Sequence, residues 1–371
     1  MKRILCLALI PLLLLPLPTY AAEAGTTLAL SAECATLYDA ENRRLLYGKN
    51  TEARHAMAST TKIMTALVAL EALPLDTEIT VPTEATGVEG SSVYLRAGEV
   101  YTLEAMLYAL LLQSANDAAE VIAYAVAGGI PAFAELMNAK VAALGLYNTH
   151  FDNPHGLDSD THYTTASDLA IIACAALENP DFYKIVSSRR YNFSGVGGEN
   201  PRALINHNKL LYLYDGAVGV KTGFTKKCGR CLVSAAERDG VLLVAVTLDA
   251  PSDWSDHKKL LDYGFSRIER RMIAAAGELS FSIPLLNAEG TATIINSEDI
   301  TLITERDTAS PSPILDLLPH PTAPIKKGAV AGSITYVTED GERITFPLVF
   351  AEDIPLQKSK KGRFGTRQQS Q

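Results

Sequence analysis

The sequence predicts an α/β (α+β) domain with a central antiparallel sheet, helices on both sides and a helical subdomain, followed by a small all-β carboxyl-terminal domain. Three observations predict it. Strand-like patterns stand near the start and again around residues 218–248, a block of strong helical periodicity separates them, and beyond residue 271 only short alternating segments remain. At 371 residues the chain is long enough for more than one domain.

The first residues differ from all others. Lys2 and Arg3 form a short positive region, residues 4–17 are almost wholly apolar, and Ala21, Ala22 and Ala24 supply small residues for cleavage. That is the layout of a secretory signal peptide, assigned to residues 1–24, and it predicts an extracytoplasmic protein. A membrane anchor is the competing reading, but Pro11, Pro16 and Pro18 interrupt the run, which is shorter than the ~20 residues of a spanning helix. Cys6 has no small neighbours to mark a lipid-attachment site.

Cys34 to Tyr47 reads as a hairpin, with apolar runs on either side of the polar turn Asp39-Ala-Glu-Asn42. From Met57 to about Leu73 the pattern turns helical, with Ile63, Met64, Leu67, Val68 and Leu70 on a long apolar face. Helices follow over 103–112, 118–127, 131–143 and 166–177, and the polar stretch Gln113-Ser-Ala-Asn-Asp117 reads as a connector loop. Strands resume at 218–222, 231–236 and 241–248. Asp239-Gly240 between the last two is a strong hairpin signal. A helix over 254–265 closes this domain, assigned to residues 25–270. Residues 271–355 read as the small β-rich domain and 356–371 as a basic polar tail.

Composition bounds the partners. Apolar residues make up 47% and charged residues 20%, ordinary values for a globular protein. The net charge of -9 argues against nucleic acid, which needs clustered Lys and Arg. Lys358-Ser-Lys-Lys-Gly-Arg363 is the exception; it reads as a solvated tail that could touch anionic lipid or wall polymer. Cys34, Cys174, Cys228 and Cys231 remain after signal removal. The C-x-x-C spacing of the last two opens a strand rather than a helix and lacks a second ligand pair, so buried thiols are favoured over redox chemistry or zinc, with a disulfide next.

Chemistry concentrates in three short strings: Ser59-Thr60-Thr61-Lys62, Ser114-Ala115-Asn116 and Lys221-Thr222-Gly223. Residues three apart on a helix share a face, so Lys62 is brought toward the Ser59 hydroxyl. A serine is a poor nucleophile until a base takes its proton, and a lysine can be that base only when burial or a neighbouring cation lowers its pKa. Lys221 is such a neighbour. Ser59 would attack a carbonyl, Lys62 accept the proton and Ser114 relay it to the leaving amine. Asn116 would hold the acyl chain's amide and Lys221 with Thr222 a carboxylate on the leaving side. Gly223 leaves room for a backbone to approach, and the N–H groups of Ser59 and Phe224 are the candidate oxyanion donors.

The order S-x-x-K, S-x-N, K-T-G is shared by penicillin-binding proteins and class A β-lactamases. With Ala58-Ser-Thr-Thr-Lys-Ile-Met-Thr-Ala-Leu67, Phe151-Asp-Asn-Pro-His-Gly-Leu157, Asn206-His-Asn-Lys-Leu-Leu211 and Gly219-Val-Lys-Thr-Gly-Phe-Thr225, the chain resembles the low-molecular-mass penicillin-binding proteins that are serine-type D-alanyl-D-alanine carboxypeptidases. The resemblance spans residues 33–265. It implies a β-lactamase/transpeptidase-like fold, peptidoglycan stem peptides ending in D-Ala-D-Ala as substrate, β-lactams as covalent inhibitors of Ser59, and no metal or organic cofactor.

Two departures stand out. Val218 occupies a position where members often carry Asp, and the chain's end lacks the apolar face of the family's amphipathic membrane helix. Alternatives are a transpeptidase or endopeptidase on the same scaffold, a β-lactamase, or a non-catalytic wall or β-lactam sensor. Against β-lactamase, no E-x-x-x-N element for deacylation lies between the second and third motifs. His155 reads as structural because the serine already has a lysine partner, whereas His207 and Asn208 are candidates to line the cleft.

Overall fold

The computed structural model describes residues 28–286, 290–309, 311–338, 341 and 343–356. The signal-peptide assignment and the basic stretch from Lys358 lie outside the described residues, as do most of the turns at 287–290 and 339–342.

The first hairpin forms β1 (Cys34–Asp39) and β2 (Arg44–Lys49). A 3-10 turn, Ala58–Thr61, then leads into α1 (Lys62–Ala72). Residues 62–69 of α1 are all buried, as expected of a helix that is apolar on nearly every side. A two-stranded ribbon, β3 (Glu78–Thr80) with β4 (Val100–Thr102), introduces α2 (Leu103–Leu112), whose first turn is capped by the Thr102 hydroxyl accepting from Ala105 N–H. Next come α3 (Asn116–Ala127), ended by Gly128 in the left-handed conformation, and α4 (Ile130–Ala143). Thr165 and Asn179 cap α5 (Ala166–Leu177) and α6 (Pro180–Ser187).

A second ribbon, β5 (Arg190–Phe193) with β6 (Arg202–Ile205), and the single turn α7 (Leu210–Leu213) precede the meander β7 (Ala217–Thr225), β8 (Gly229–Arg238) and β9 (Val241–Leu248). The first hairpin joins that meander in one antiparallel sheet of order β2-β1-β9-β8-β7. α8 (Asp253–Arg267) packs on one face of it. Alternation along β9 explains how both faces are covered: Leu243 and Ala245 meet Leu260 and Leu261 of α8, while Val244 and Val246 join the core of the helical block.

The remainder is β-structure. β10 (Ile268–Ala274) follows α8 without a linker and pairs with β13 (Ile300–Glu305), while β11 (Ser280–Pro284), β12 (Thr291–Asn296), β14 (Pro313–Leu317), β15 (Val330–Val337) and β16 (Arg343–Phe350) form a sheet of order β11-β12-β16-β15-β14. Its core contains Ile294, Leu302, Ile334 and Leu348. The division at 270/271 lies within β10, whose Ile268 packs with Ile303 into the cluster that holds Leu37, Leu243 and Leu260.

Two local expectations need correction. The helix expected from Met57 opens with a 3-10 turn and becomes α-helical only at Lys62. The connector expected over 113–117 shrinks to 113–115, because Asn116 and Asp117 start α3. In the first, the Thr60 and Thr61 hydroxyls donate back to the Met57 and Ala58 carbonyls, and in the second Asn116 and Asp117 bond to residues 89–95. Among the described residues Cys34, Cys174, Cys228 and Cys231 are buried and form no disulfide.

Candidate active site

Ala58 takes a left-handed conformation, φ +46°, at the entrance to the turn that carries Ser59. In a 3-10 turn residues i and i+3 eclipse, so the side chain of Lys62 is drawn back over Ser59. Its Nζ lies 3.0 Å from Ser59 Oγ, 2.7 Å from Asn116 Oδ1 and 2.6 Å from the His155 carbonyl. Lys62 is fully buried, and burial together with the positive charge of Lys221 pushes its pKa well below the ordinary lysine value. The partners then fix the direction of the proton. Asn116 Oδ1 and the His155 carbonyl can only accept, so they take the two N–H bonds of a neutral amine and leave its lone pair facing the Ser59 hydroxyl.

The second motif lies where α2 gives way to α3. Ser114 is buried with φ +60°, and among the described residues its hydroxyl has no hydrogen bond to Ser59 or Lys62. Asn116 is better connected. Its backbone N–H donates to Ser91 O at 2.7 Å and its Nδ2 to Glu89 O at 2.6 Å, while Oδ1 serves Lys62. Asp117, one residue on, accepts from the Ser92 hydroxyl at 2.6 Å, Val93 N–H at 3.2 Å and Leu95 N–H at 3.0 Å. The start of α3 thus holds the segment 89–95 against the lysine.

The third motif stands on β7, at the edge of the sheet. Lys221 is buried, and desolvation lowers its pKa to about 7; its Nζ donates to the Thr222 carbonyl at 2.9 Å. Gly223 runs against the serine turn. A Cβ there would come 3.1 Å from Met57 O and 3.2 Å from the nitrogens of Ser59 and Thr60, so only glycine permits this approach without displacement. Phe224 is exposed, and Ser59, Asn116, His155 and Phe224 share a cleft of about 120 Å³.

The structure therefore brings Ser59, Lys62 and Asn116 into direct contact and sets Gly223 and Phe224 beside them. Ser114 and Lys221 stand nearby without bonding to Ser59 or Lys62. Several site residues carried no assignment from the sequence. Gly156 has φ +90°, and a Cβ on it would lie 1.9 Å from the Ala58 carbonyl, inside the nucleophile turn. The Pro154-His-Gly156 turn signal was the available clue. Gly90 and Ser91 line the cleft from a segment whose glycines, Gly87 and Gly90, were its clue.

His155 agrees with the structural reading. Its ring is buried, burial and Lys62 lower its pKa to about 3, and its Nδ1 accepts from Leu157 N–H. His207 stands close enough to Lys221 that its pKa is lowered by burial and by the Lys221 charge, and Asn208 Oδ1 accepts from Leu210 N–H at the start of α7.

Comparison with known proteins agrees with this geometry. The family profile described as D-alanyl-D-alanine carboxypeptidase matches residues 20–252. The D-alanyl-D-alanine carboxypeptidase DacF of Bacillus subtilis is 30% identical over 371 residues, covering 95% of each chain. Among solved structures, a peptidoglycan synthesis regulatory factor (PBP3) of Streptococcus pneumoniae superposes with a TM-score of 0.76 at 26% identity, over 88% of this chain and 100% of that one. A variant of the Streptomyces K15 DD-transpeptidase superposes with a TM-score of 0.62 at 32% identity, over 64% of this chain and 99% of that one. With a matched region that contains all three motifs, this chain belongs to the D-alanyl-D-alanine carboxypeptidase family of serine peptidases.

Proposed function

We propose that the chain removes the terminal D-Ala from peptidoglycan stem peptides through an acyl-enzyme on Ser59. Ser59 Oγ attacks the carbonyl carbon of the penultimate D-Ala while its proton passes to Lys62 Nζ. The N–H groups of Ser59 and Phe224 hold the oxyanion. Ser114 conducts the proton to the leaving amine, and Lys221 with Thr222 binds the departing carboxylate. Asn116 orients Lys62 and offers its remaining amide donor to the acyl chain. Water then cleaves the ester, with Lys62 as base, and restores the enzyme. β-Lactams enter the same path as covalent inhibitors.

The observation that carries this reading is the lysine amine held 3.0 Å from the serine hydroxyl by two obligate acceptors. Incubation with a peptide ending in D-Ala-D-Ala should release free D-Ala, and Ser59→Ala should lower that rate by about 10³-fold or more. No release from the parent chain would refute the reading. A transpeptidase reading draws on the likeness to the Streptomyces K15 DD-transpeptidase. An added acceptor amine decides between the two, since a transpeptidase yields the cross-linked product in place of the free acid.

The wider organisation extends this proposal. Residues 1–24 direct export, 25–270 carry the chemistry, 271–355 form the β-rich domain, and the basic tail at 356–371 touches the wall or membrane surface. Support comes from the leader's three-part pattern and the charge of the tail.

A further inference from the structure

Behind the nucleophile turn, on the far side of Cys231, stands a group of side chains that the reaction does not use. Glu33 immediately precedes β1 and Asp249 immediately follows β9, so the antiparallel register that pairs Cys34 with Leu248 places the two acids opposite each other. The Glu33 N–H also donates to the Asp249 carbonyl at 3.0 Å. Like charges facing each other across a strand pair are unfavourable. Among the described residues neither carboxylate accepts a hydrogen bond, and no lysine or arginine pairs with either. Asp249 is moreover held at φ +46°, a conformation costly for a residue with a side chain.

His55 completes the group. Its Nε2 lies 3.8 Å from Glu33 Oε2, and ligand atoms of Glu33, His55 and Asp249 all lie within 4.8 Å of one another. The other ring nitrogen, Nδ1, is 2.7 Å from the Ala56 carbonyl. A carbonyl can only accept, so Nδ1 carries the proton, and the neutral ring then presents the Nε2 lone pair to the two acids. That is the arrangement by which a backbone carbonyl orients a metal-ligating histidine.

We propose that Glu33, His55 and Asp249 bind a divalent transition cation, with Zn²⁺ the best fit to one imidazole and two carboxylates. Tetrahedral ligands at about 2.0–2.1 Å from zinc stand about 3.3 Å apart. The His55 Nε2–Glu33 Oε2 distance of 3.8 Å is wider, and a change of rotamer in the exposed Glu33 side chain would close it. Water fills the fourth position on the solvent side. The cation neutralises the facing acids and ties His55, four residues before Ser59, to the end of the β1–β9 strand pair. Its role is structural, so the inference does not rest on the proposed reaction.

Titration of the chelator-treated full chain with ZnCl₂ tests the site. One Zn²⁺ should bind per chain and raise the unfolding midpoint by a few degrees, as mass action on the folded state requires. Glu33→Gln, on an exposed side chain that leaves the core untouched, should weaken binding at least about tenfold and abolish that rise, and Asp249→Asn should do the same. His150→Ala, which removes an exposed imidazole elsewhere, should leave binding unchanged. The proposal is overturned if no one-to-one binding is found tighter than about 0.1 mM. Equal affinity in the Glu33→Gln and Asp249→Asn chains, or loss of binding in His150→Ala, would overturn it too.

Discussion

At the scale of residues, two buried lysines within range of each other's charge govern the pH response. In the proposed reaction Lys62 must be neutral to accept the Ser59 proton, whereas Lys221 must be charged to attract a carboxylate. The kcat/KM profile for a carboxylate-terminated substrate should therefore be bell-shaped. Its acid limb belongs to Lys62, and its alkaline limb begins at about pH 7, where Lys221 loses its proton. A substrate with an amidated carboxyl terminus should lose the alkaline limb, as rates of product release across that pH range will show. Stability has its own sign. Because the folded pKa of Lys221 is about 7 against 10.5 for an ordinary lysine, the unfolded chain binds more protons between those values. This group's cost is full below pH 7 and disappears as pH rises toward 10.5. Denaturant unfolding at a series of pH values should show the rise, and Lys221→Met should reduce it to the part that buried Lys62 contributes.

At the scale of elements, contacts between segments set the cleft. Asp117 gathers three donors from residues 92–95 and so fixes the wall that contains Gly90 and Ser91. Asp117→Asn exchanges charge-assisted bonds for weaker ones, and should cut β-lactam acylation of Ser59 about tenfold or more with little change in far-ultraviolet circular dichroism. Gly156→Ala acts on the nucleophile directly. Its Cβ cannot coexist with the Ala58 carbonyl, so the turn or the 151–157 segment must move. Acylation should fall sharply and stability drop by about 2 kcal/mol or more, read from the unfolding midpoint.

At the scale of the whole molecule, the β-rich part is joined to the catalytic part through a packed seam. Ile303, from β13, lies fully buried in the cluster with Leu37, Leu243 and Leu260. Ile303→Ala should cost about 2–5 kcal/mol. The rate of β-lactam acylation by the folded protein should remain that of the parent, since the seam does not touch the cleft. Loss of acylation at unchanged stability would show instead that the seam transmits to Ser59.

What was legible in the sequence was periodic or local. The hairpin at 34–47, the helices at 103–112 and 166–177, the strand at 241–248 and the i, i+3 spacing of Ser59 and Lys62 each follow from side-chain period or from a turn residue within a few positions. The antiparallel sheet that joins the first hairpin to the last strands also followed, because isolated hairpins must bury a face somewhere. Short ribbons such as β3–β4 and β5–β6 were not legible, since three or four residues carry no period. Nor was the role of the His155 carbonyl, the approach of Gly156 to Ala58, or the hold of Asp117 on residues 92–95. The sequence by itself determined which residue types could do the chemistry and which elements present them. Only the tertiary structure decided which atoms complete the coordination of the Lys62 amine, because backbone carbonyls and glycine contacts from distant segments leave no mark on side-chain pattern.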